Sequence, residues 1–322
     1  MRAQPALADA LDPAPFLADL AQAPVGARAT WIQSADGLRL RTGLLGRGDR
    51  GTVLLLQGRT EYLEKYGLAA QAFAARGYGT VSVDFRGQGR SERMLGDSPL
   101  GHIDDFANYQ HDVQALVRFA EAMGMPRPWF VVAHSMGGAI GLRALIEDRL
   151  PVQGAVFSAP LWGIQMPAVL RPVAHALGWL ARRVGRDERL VPGLSPTSYV
   201  RGADPGDNML TSDPDMVAYM RSHLEADPAL DLGGPTLAWL DEALAECRKL
   251  MAAPLPATPA LIFLPERETI VSKAAMRQMA ARWPGSELIE VPGGRHETMM
   301  ETANRREDFF ARSTGFFDAH RG

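Results

Sequence analysis

The chain has 322 residues, 46% of them hydrophobic and 22% charged, and a formal net charge of −3. That is a folded, globular composition, and it offers no basic field to hold a phosphate backbone, which excludes nucleic acid as the main partner. One cysteine, Cys247, excludes an intrachain disulfide and a zinc site built from several cysteines. No run approaches the ~20 uninterrupted apolar residues that span a bilayer. The first thirty residues, with Asp9, Asp12 and Asp19, lack the basic start and apolar stretch of a secretory signal. The expectation is a cytoplasmic protein, with loose attachment to the inner face of a membrane left open.

In chain order, Thr30 to Ser34 and Leu38 to Leu44 read as strands around an Asp36-Gly37 turn. Thr52 to Gln57 is a short buried strand, followed by a helix near Leu63 to Arg76 and a strand from Gly79 to Asp84. A helix spans Asp104 to Met123, a strand Pro128 to Ala133, a helix Met136 to Asp148 and a strand Val152 to Phe157. Strict alternation of strand and helix predicts a mainly parallel sheet covered by helices on both faces, an α/β fold. Between about Leu161 and Met251 the alternation stops, leaving helical segments rich in proline, glycine and acidic turns. It resumes with Ala260 to Leu264, a helix from Ser272 to Trp283, the strand Glu287 to Val291 and a last helix to about Ala319. The division expected is a core over 28–160 and 252–322, with 161–251 inserted as a helical cap over the sheet's carboxyl edge.

The stretch Phe130-Val131-Val132-Ala133-His134-Ser135-Met136-Gly137-Gly138-Ala139 carries the chemistry. An apolar strand runs through a tight turn into a small-residue helix, which is the setting of a nucleophilic serine on a strained elbow. The helix must pass close to the strand, so the positions two either side of Ser135 must be small; they are Ala133 and Gly137. The bland alternative is a serine that merely caps a helix. A serine hydroxyl needs an adjacent base. His296, in the glycine-rich loop Pro292-Gly293-Gly294-Arg295-His296 after the last strand, is the candidate that can project over the sheet edge. His102, His111, His134, His175, His223 and His320 read as structural or solvated, with His134 expected to point away from the nucleophile.

A carboxylate should fix the imidazole tautomer, and chain order places it between serine and histidine. The end of the strand before the cap, Phe157-Ser158-Ala159-Pro160, holds none. Pro265-Glu266-Arg267-Glu268 follows the next strand, which makes Glu268 the first choice and Glu266 the second. Two backbone donors should face the oxyanion. They are assigned to the amide of Met136, just after the nucleophile, and that of Arg59 in the turn Gln57-Gly58-Arg59-Thr60-Glu61.

Together these stretches resemble the monoglyceride lipase and lysophospholipase L2 branch of the α/β hydrolases, grouped with serine aminopeptidases, over most of the chain from about residue 30. Gln57 to Tyr66 is similar to the oxyanion loop, with Gln57 where monoglyceride lipases usually have histidine. The resemblance implies that residue 59 supplies an oxyanion amide, and that Asp84 to Ser91 is structural. Asn208 to Asp213 and Gly234 to Trp239 resemble bacterial lysophospholipase-like members. The acid in that branch is normally aspartate; here the matching position is Glu268, one methylene longer.

The activity implied is that of a cofactor-independent serine esterase, with neither metal nor organic cofactor, acting through an acyl-enzyme on a single-chain acyl lipid such as a lysophospholipid or monoacylglycerol. A small-molecule acyl ester is then the partner. The cap residues Trp162, Ile164, Met166, Val169, Leu170, Leu177, Trp179 and Leu180 are candidates to line an acyl channel, to touch a membrane, or simply to pack on the core. Arg59 is a candidate for a lysolipid phosphate, against a salt bridge with Glu61 or Glu64. The alternatives are an aminopeptidase, an esterase on small non-lipid esters, and a binding protein without turnover. An aminopeptidase needs free acids, of which Asp204, Asp207, Asp213 and Asp215 are the available ones.

Overall fold

The computed structural model describes residues 12–321 apart from 97 and 168, together with the backbone, but not the side chains, of residues 170–175. Asp9 and the side chains of Leu170 and His175 therefore lie outside the described residues. Nine strands form one sheet: β1 (Asp12–Ala14), β2 (Arg28–Gln33), β3 (Arg39–Gly46), β4 (Gly51–Leu56), β5 (Tyr78–Val83), β6 (Trp129–His134), β7 (Gly154–Ser158), β8 (Ala260–Pro265) and β9 (Ser286–Val291). Their spatial order is β1-β2-β3-β5-β4-β6-β7-β8-β9. The first three are antiparallel, and from β5 to β9 every pairing is parallel.

Every residue of β4 is buried because both of its faces are covered. Val53 and Leu55 enter one core, and Leu54 and Leu56 enter the other, as the two-residue period of a strand demands. Helices α1 (Gly67–Ala74) and α9 (Ala303–Ala319) cover the first face through Phe73, Phe309, Phe310 and Phe317. Helices α2 (Tyr109–Ala122), α3 (Met136–Ile146) and α8 (Lys273–Arg282) cover the second. The outer strand β9 is only half buried, and Glu287 and Glu290 on it guard the free edge.

Between β7 and β8 lie α4 (Leu170–Arg183), α5 (Tyr199–Gly202), α6 (Pro214–Ala226) and α7 (Leu237–Ala252), with no strand of the sheet among the described residues. The last of these is not detached from the core: Trp239, Ala243, Cys247 and Leu250 of α7 pack in the principal apolar cluster. Strand β1 was absent from the sequence reading, because Asp-Pro-Ala has neither apolar periodicity nor strand propensity; only pairing with β2 extends it. No helix among the described residues is long and apolar enough to cross a membrane.

Candidate active site

The carboxyl ends of β4, β6, β8 and the turn after β9 converge on one side of the sheet, where open α/β sheets place their ligands. At the end of β6 the chain turns through Ser135, whose φ of 49° and ψ of −116° are strained for any residue with a Cβ. Hydrogen bonds hold that conformation: Ser135 N donates to the Ser158 carbonyl at 3.0 Å, and its own carbonyl accepts from Leu161 N at 2.8 Å. The small neighbours are a steric necessity. A Cβ on Gly137 would collide with the carbonyls of Leu56 and Gln57, and one on Gly138 with Pro160. The methyl of Ala133 is accommodated beside Gly141.

His296 Nε2 lies 3.0 Å from Ser135 Oγ, and its Nδ1 lies 2.7 Å from Glu268 Oε2. His296 and Glu268 are both 4% exposed, whereas Ser135 is partly open to the cavity. Glu268 Oε1 accepts from the amides of Ile270 and Val271, so the extra methylene of glutamate is absorbed by folding the side chain back onto its own turn. Burial pushes the Glu268 carboxyl up, but the imidazole and the two amides outweigh it and hold the group below the usual carboxylate range. Glu266 points elsewhere, its Oε2 accepting from Gly293 N at 2.6 Å, where it braces the histidine turn.

Arg59 and Met136 border the same cavity as Ser135 and His296. Met136 opens α3, so its amide is among the unsatisfied donors of a helix start. The Arg59 turn is pinned from below: the Glu61 carboxylate accepts from Gly58 N and from the Tyr66 hydroxyl, and Gln88 Nε2 donates to the Gly58 carbonyl at 2.8 Å. Gln57 donates to Ser82 Oγ at 3.2 Å and to Asp84 at 3.4 Å.

Beneath this floor is a charge cluster that sequence reasoning missed. Lys65 Nζ sits 2.6 Å from both Glu61 Oε1 and Glu297 Oε1, and His134 Nε2 is 3.2 Å from Glu297 Oε2. His134 Nδ1 faces Ser158 O at 3.0 Å. Burial opposes charge on His134 and Lys65, but Glu297 and Glu61 overcome it and raise both. Burial likewise opposes charge on Glu297, which His134 and Lys65 hold well below the usual carboxylate range. Glu61, His134 and Glu297 could in principle ligate a cation, their donor atoms lying within 4.8 Å of one another. The Lys65 ammonium pairs with both carboxylates and His134, raised toward its charged form, faces the same two, so the cluster supplies its own positive charge. His134, expected to point away from the nucleophile, turns into this cluster, and its ring lies 4.7 Å from that of His296.

The turn bearing His296 is held by Glu301, a fully buried carboxylate that accepts from Arg295 N at 2.8 Å and Ser212 N at 3.0 Å. Thr211 Oγ1 donates to the Met300 carbonyl at 2.6 Å, so the 208–213 segment clamps this loop. Three other histidines have partners away from the site: His102 with Thr236 and Asp104, His223 with the Leu20 carbonyl, and His320 with that of Phe316, while His111 Nδ1 is buried without a hydrogen-bond partner among the described residues. Cys247 is buried against the Leu161 carbonyl, and burial pushes its thiol up to about 12, which leaves it inert as a nucleophile.

The cavity above Ser135 measures about 490 Å³, within the range of small-molecule sites. Its walls are mostly apolar and come from both sides: Ile164, Leu194, Val200 and Leu232 from the helical stretch, and Ile270 and Val271 from the turn after β8.

A mainly parallel sheet with a strained serine at a strand-to-helix turn, facing an imidazole and a carboxylate, defines an α/β hydrolase of the serine hydrolase class. The family model described as "Serine aminopeptidase, S33" matches residues 48–303, and the chain belongs to that family. It is 29% identical to the lysophospholipase L2 of Escherichia coli (strain K12) over 281 residues, 83% of this chain and 80% of that one. It is 29% identical over 260 residues to a probable lysophospholipase L2 of Haemophilus influenzae, covering 80% and 81% of the two chains. Among solved structures, a soluble variant of the monoglyceride lipase from Saccharomyces cerevisiae, in complex with a substrate analog, aligns with a TM-score of 0.70 at 21% identity, over 91% of this chain and 95% of that one.

Proposed function

We propose that the protein is a carboxylic ester hydrolase acting on single-chain acyl lipids, lysophospholipids or monoacylglycerols, with Ser135 as nucleophile, His296 as base and Glu268 as the acid. The observation that carries this is the unbroken hydrogen-bond line from Glu268 through His296 to Ser135, ending at an apolar cavity. The names of the relatives point the same way.

In the reaction, His296 Nε2 takes the proton of Ser135 Oγ as the oxygen bonds to the ester carbonyl carbon. The amides of Arg59 and Met136 hold the oxyanion. As the tetrahedral intermediate collapses, the bond to the leaving alcohol breaks and His296 returns the proton to that alcohol. Water then attacks the acyl-enzyme by the same route and releases the fatty acid and free Ser135. Glu268 holds the imidazole tautomer and stabilises its charged form throughout.

Residues 161–251 act as a lid that closes the acyl cavity. Exposed apolar side chains on and around α4, namely Val169, Trp179, Leu180 and Val184, suit transient contact with a lipid surface.

An aminopeptidase reading is less well supported. Of the acids weighed for a substrate amine, Asp213 pairs with Arg306, and Asp204 accepts from the amides of Gly206 and Asp207. The carboxylates that do border the cavity, Glu61 and Glu297, are taken by Lys65. Fatty-acid release from a monoacylglycerol and a lysophospholipid of equal chain length, with Ser135→Ala as control, tests the assignment. Ser135-dependent release from either is the expected result. Release from neither, with cleavage of aminoacyl amides, would replace it by the peptidase.

A further inference from the structure

Arg59 lines the cavity beside Ser135, and its guanidinium is not neutralised by the acids nearest in sequence. Glu61 is occupied by Lys65, Tyr66 and Gly58 N, and Glu64 forms a two-pronged pair with Arg41 at 2.7 and 2.8 Å. Neither expected salt bridge to Arg59 forms, and no carboxylate among the described residues lies in ion-pair range of it. Its one hydrogen bond among the described residues is from Nη1 to the Gly233 carbonyl at 2.8 Å, and the group sits over the Trp239 ring at 5.4 Å. A guanidinium offers five donors, so most remain unspent. Burial pushes this group down to about 10, with only the Tyr109 phenol opposing it. Arg59 is half-buried on the cavity wall, so a ligand in the cavity can supply the anion that this cation lacks.

We propose that Arg59 forms an anion subsite within the acyl-ester cavity and binds the phosphate of a lysophospholipid head group. This rests on the ester-hydrolase reading above. The amide of residue 59 is assigned to the ester oxyanion, and its side chain reaches from that point along the cavity wall. In a lysophospholipid the three glycerol carbons separate ester from phosphate, a span of the same order as an arginine side chain. The bond to Gly233 and the contact with Trp239 hold the guanidinium ready, so that little ordering remains when the phosphate arrives. The other basic side chains bordering the cavity do not compete for this role, since Lys65 is spent on two carboxylates and His296 faces Ser135. A neutral monoacylglycerol leaves the charge unpaired, which makes Arg59 a determinant of head-group specificity.

The test is the ratio of kcat/KM for a lysophosphatidylethanolamine to that for a monoacylglycerol of equal chain length, in wild type, Arg59→Lys and Arg59→Met. The ratio should fall roughly 10- to 100-fold in Arg59→Met, as expected for losing hydrogen bonds to a charged group, and less in Arg59→Lys. An unchanged ratio in both variants, with both substrates cleaved through Ser135, overturns the subsite and leaves the hydrolase reading intact. Cleavage of neither substrate by wild type overturns both. Should Arg59→Met fail to fold, Arg59→Lys and a binding measurement on Ser135→Ala decide. There, a non-hydrolysable alkyl-ether lysophospholipid should raise the thermal midpoint more than the matching alkylglycerol, and equal shifts overturn the proposal. Inhibition by inorganic phosphate without any preference for the phospholipid would assign the site to free phosphate and equally overturn the head-group role.

Discussion

Two carboxylate–imidazole pairs lie back to back under the cavity, with the rings of His296 and His134 4.7 Å apart, yet their surroundings assign them opposite work. His296, with Glu268 behind it, faces a hydroxyl and a cavity. His134, with Glu297 and Glu61 beside it, is fully enclosed and shares those carboxylates with Lys65. Both contain the same chemical groups. In the proposed mechanism, what separates the proton carrier from the structural strut is an open partner on one side and a compensating cation on the other. The strut also joins the two loops that the proposed reaction uses, because Glu61 anchors the Arg59 turn and Glu297 directly follows His296.

That contrast can be broken most severely at the open pair. Glu268→Gln should lower kcat by about 10³- to 10⁴-fold, since the amide favours the wrong imidazole tautomer. Glu266→Gln, which loses only a brace on Gly293, should stay within a few-fold of wild type. Steady-state kinetics on one ester substrate checks both, and the reverse ranking would move the acid to Glu266. Next in size, Glu61→Gln should reduce kcat by about 10²-fold by loosening the oxyanion turn. A normal kcat in that variant would detach the cluster from the reaction.

Lys65→Met sharpens the structural side. It strands two buried carboxylates, costs about 3–5 kcal/mol, and should lower the thermal midpoint by roughly 5 °C. An unchanged midpoint would show that the cluster does not bear load. The smallest effect is a pH dependence. His134 is raised above the ordinary imidazole range by Glu297 and Glu61, against the pull of burial. Its contribution is therefore full below the unfolded-state value and is lost as pH rises through the folded-state one. Melting curves from neutral to alkaline pH should fall by a few degrees more for wild type than for His134→Asn; parallel curves would count against the charged strut.

Much of the open pair was legible in the sequence because its signals are local. A strand, a small-residue turn and a helix surround Ser135 within ten residues, and His296 follows a strand in a glycine-rich loop. Glu268 could be reached by position, since β8 precedes it, but its second-choice rival differed from it by only two residues. The strut was not legible. Lys65 and Glu297 stand 232 positions apart, and nothing in the spacing of either announces the other. Arg59 shows the same limit: acids at positions 61 and 64 suggest local pairing, and only the fold commits them to Lys65 and Arg41. In the fold, the buried strands announced themselves by composition, whereas β1 exists only through its partner. The place of α7 in the main core was likewise hidden, because its apolar spacing suits a lid as well as a core helix.

The most direct test of the division between the two histidines is the rate of fluorophosphonate labelling, with the adduct located by mass spectrometry, in wild type, His296→Ala and His134→Asn. The adduct should lie on Ser135, labelling should fall by at least about 10³-fold in His296→Ala, and folded His134→Asn should keep most of the wild-type rate. An adduct on another residue, or loss of labelling in His134→Asn with His296→Ala still reactive, would contradict the account.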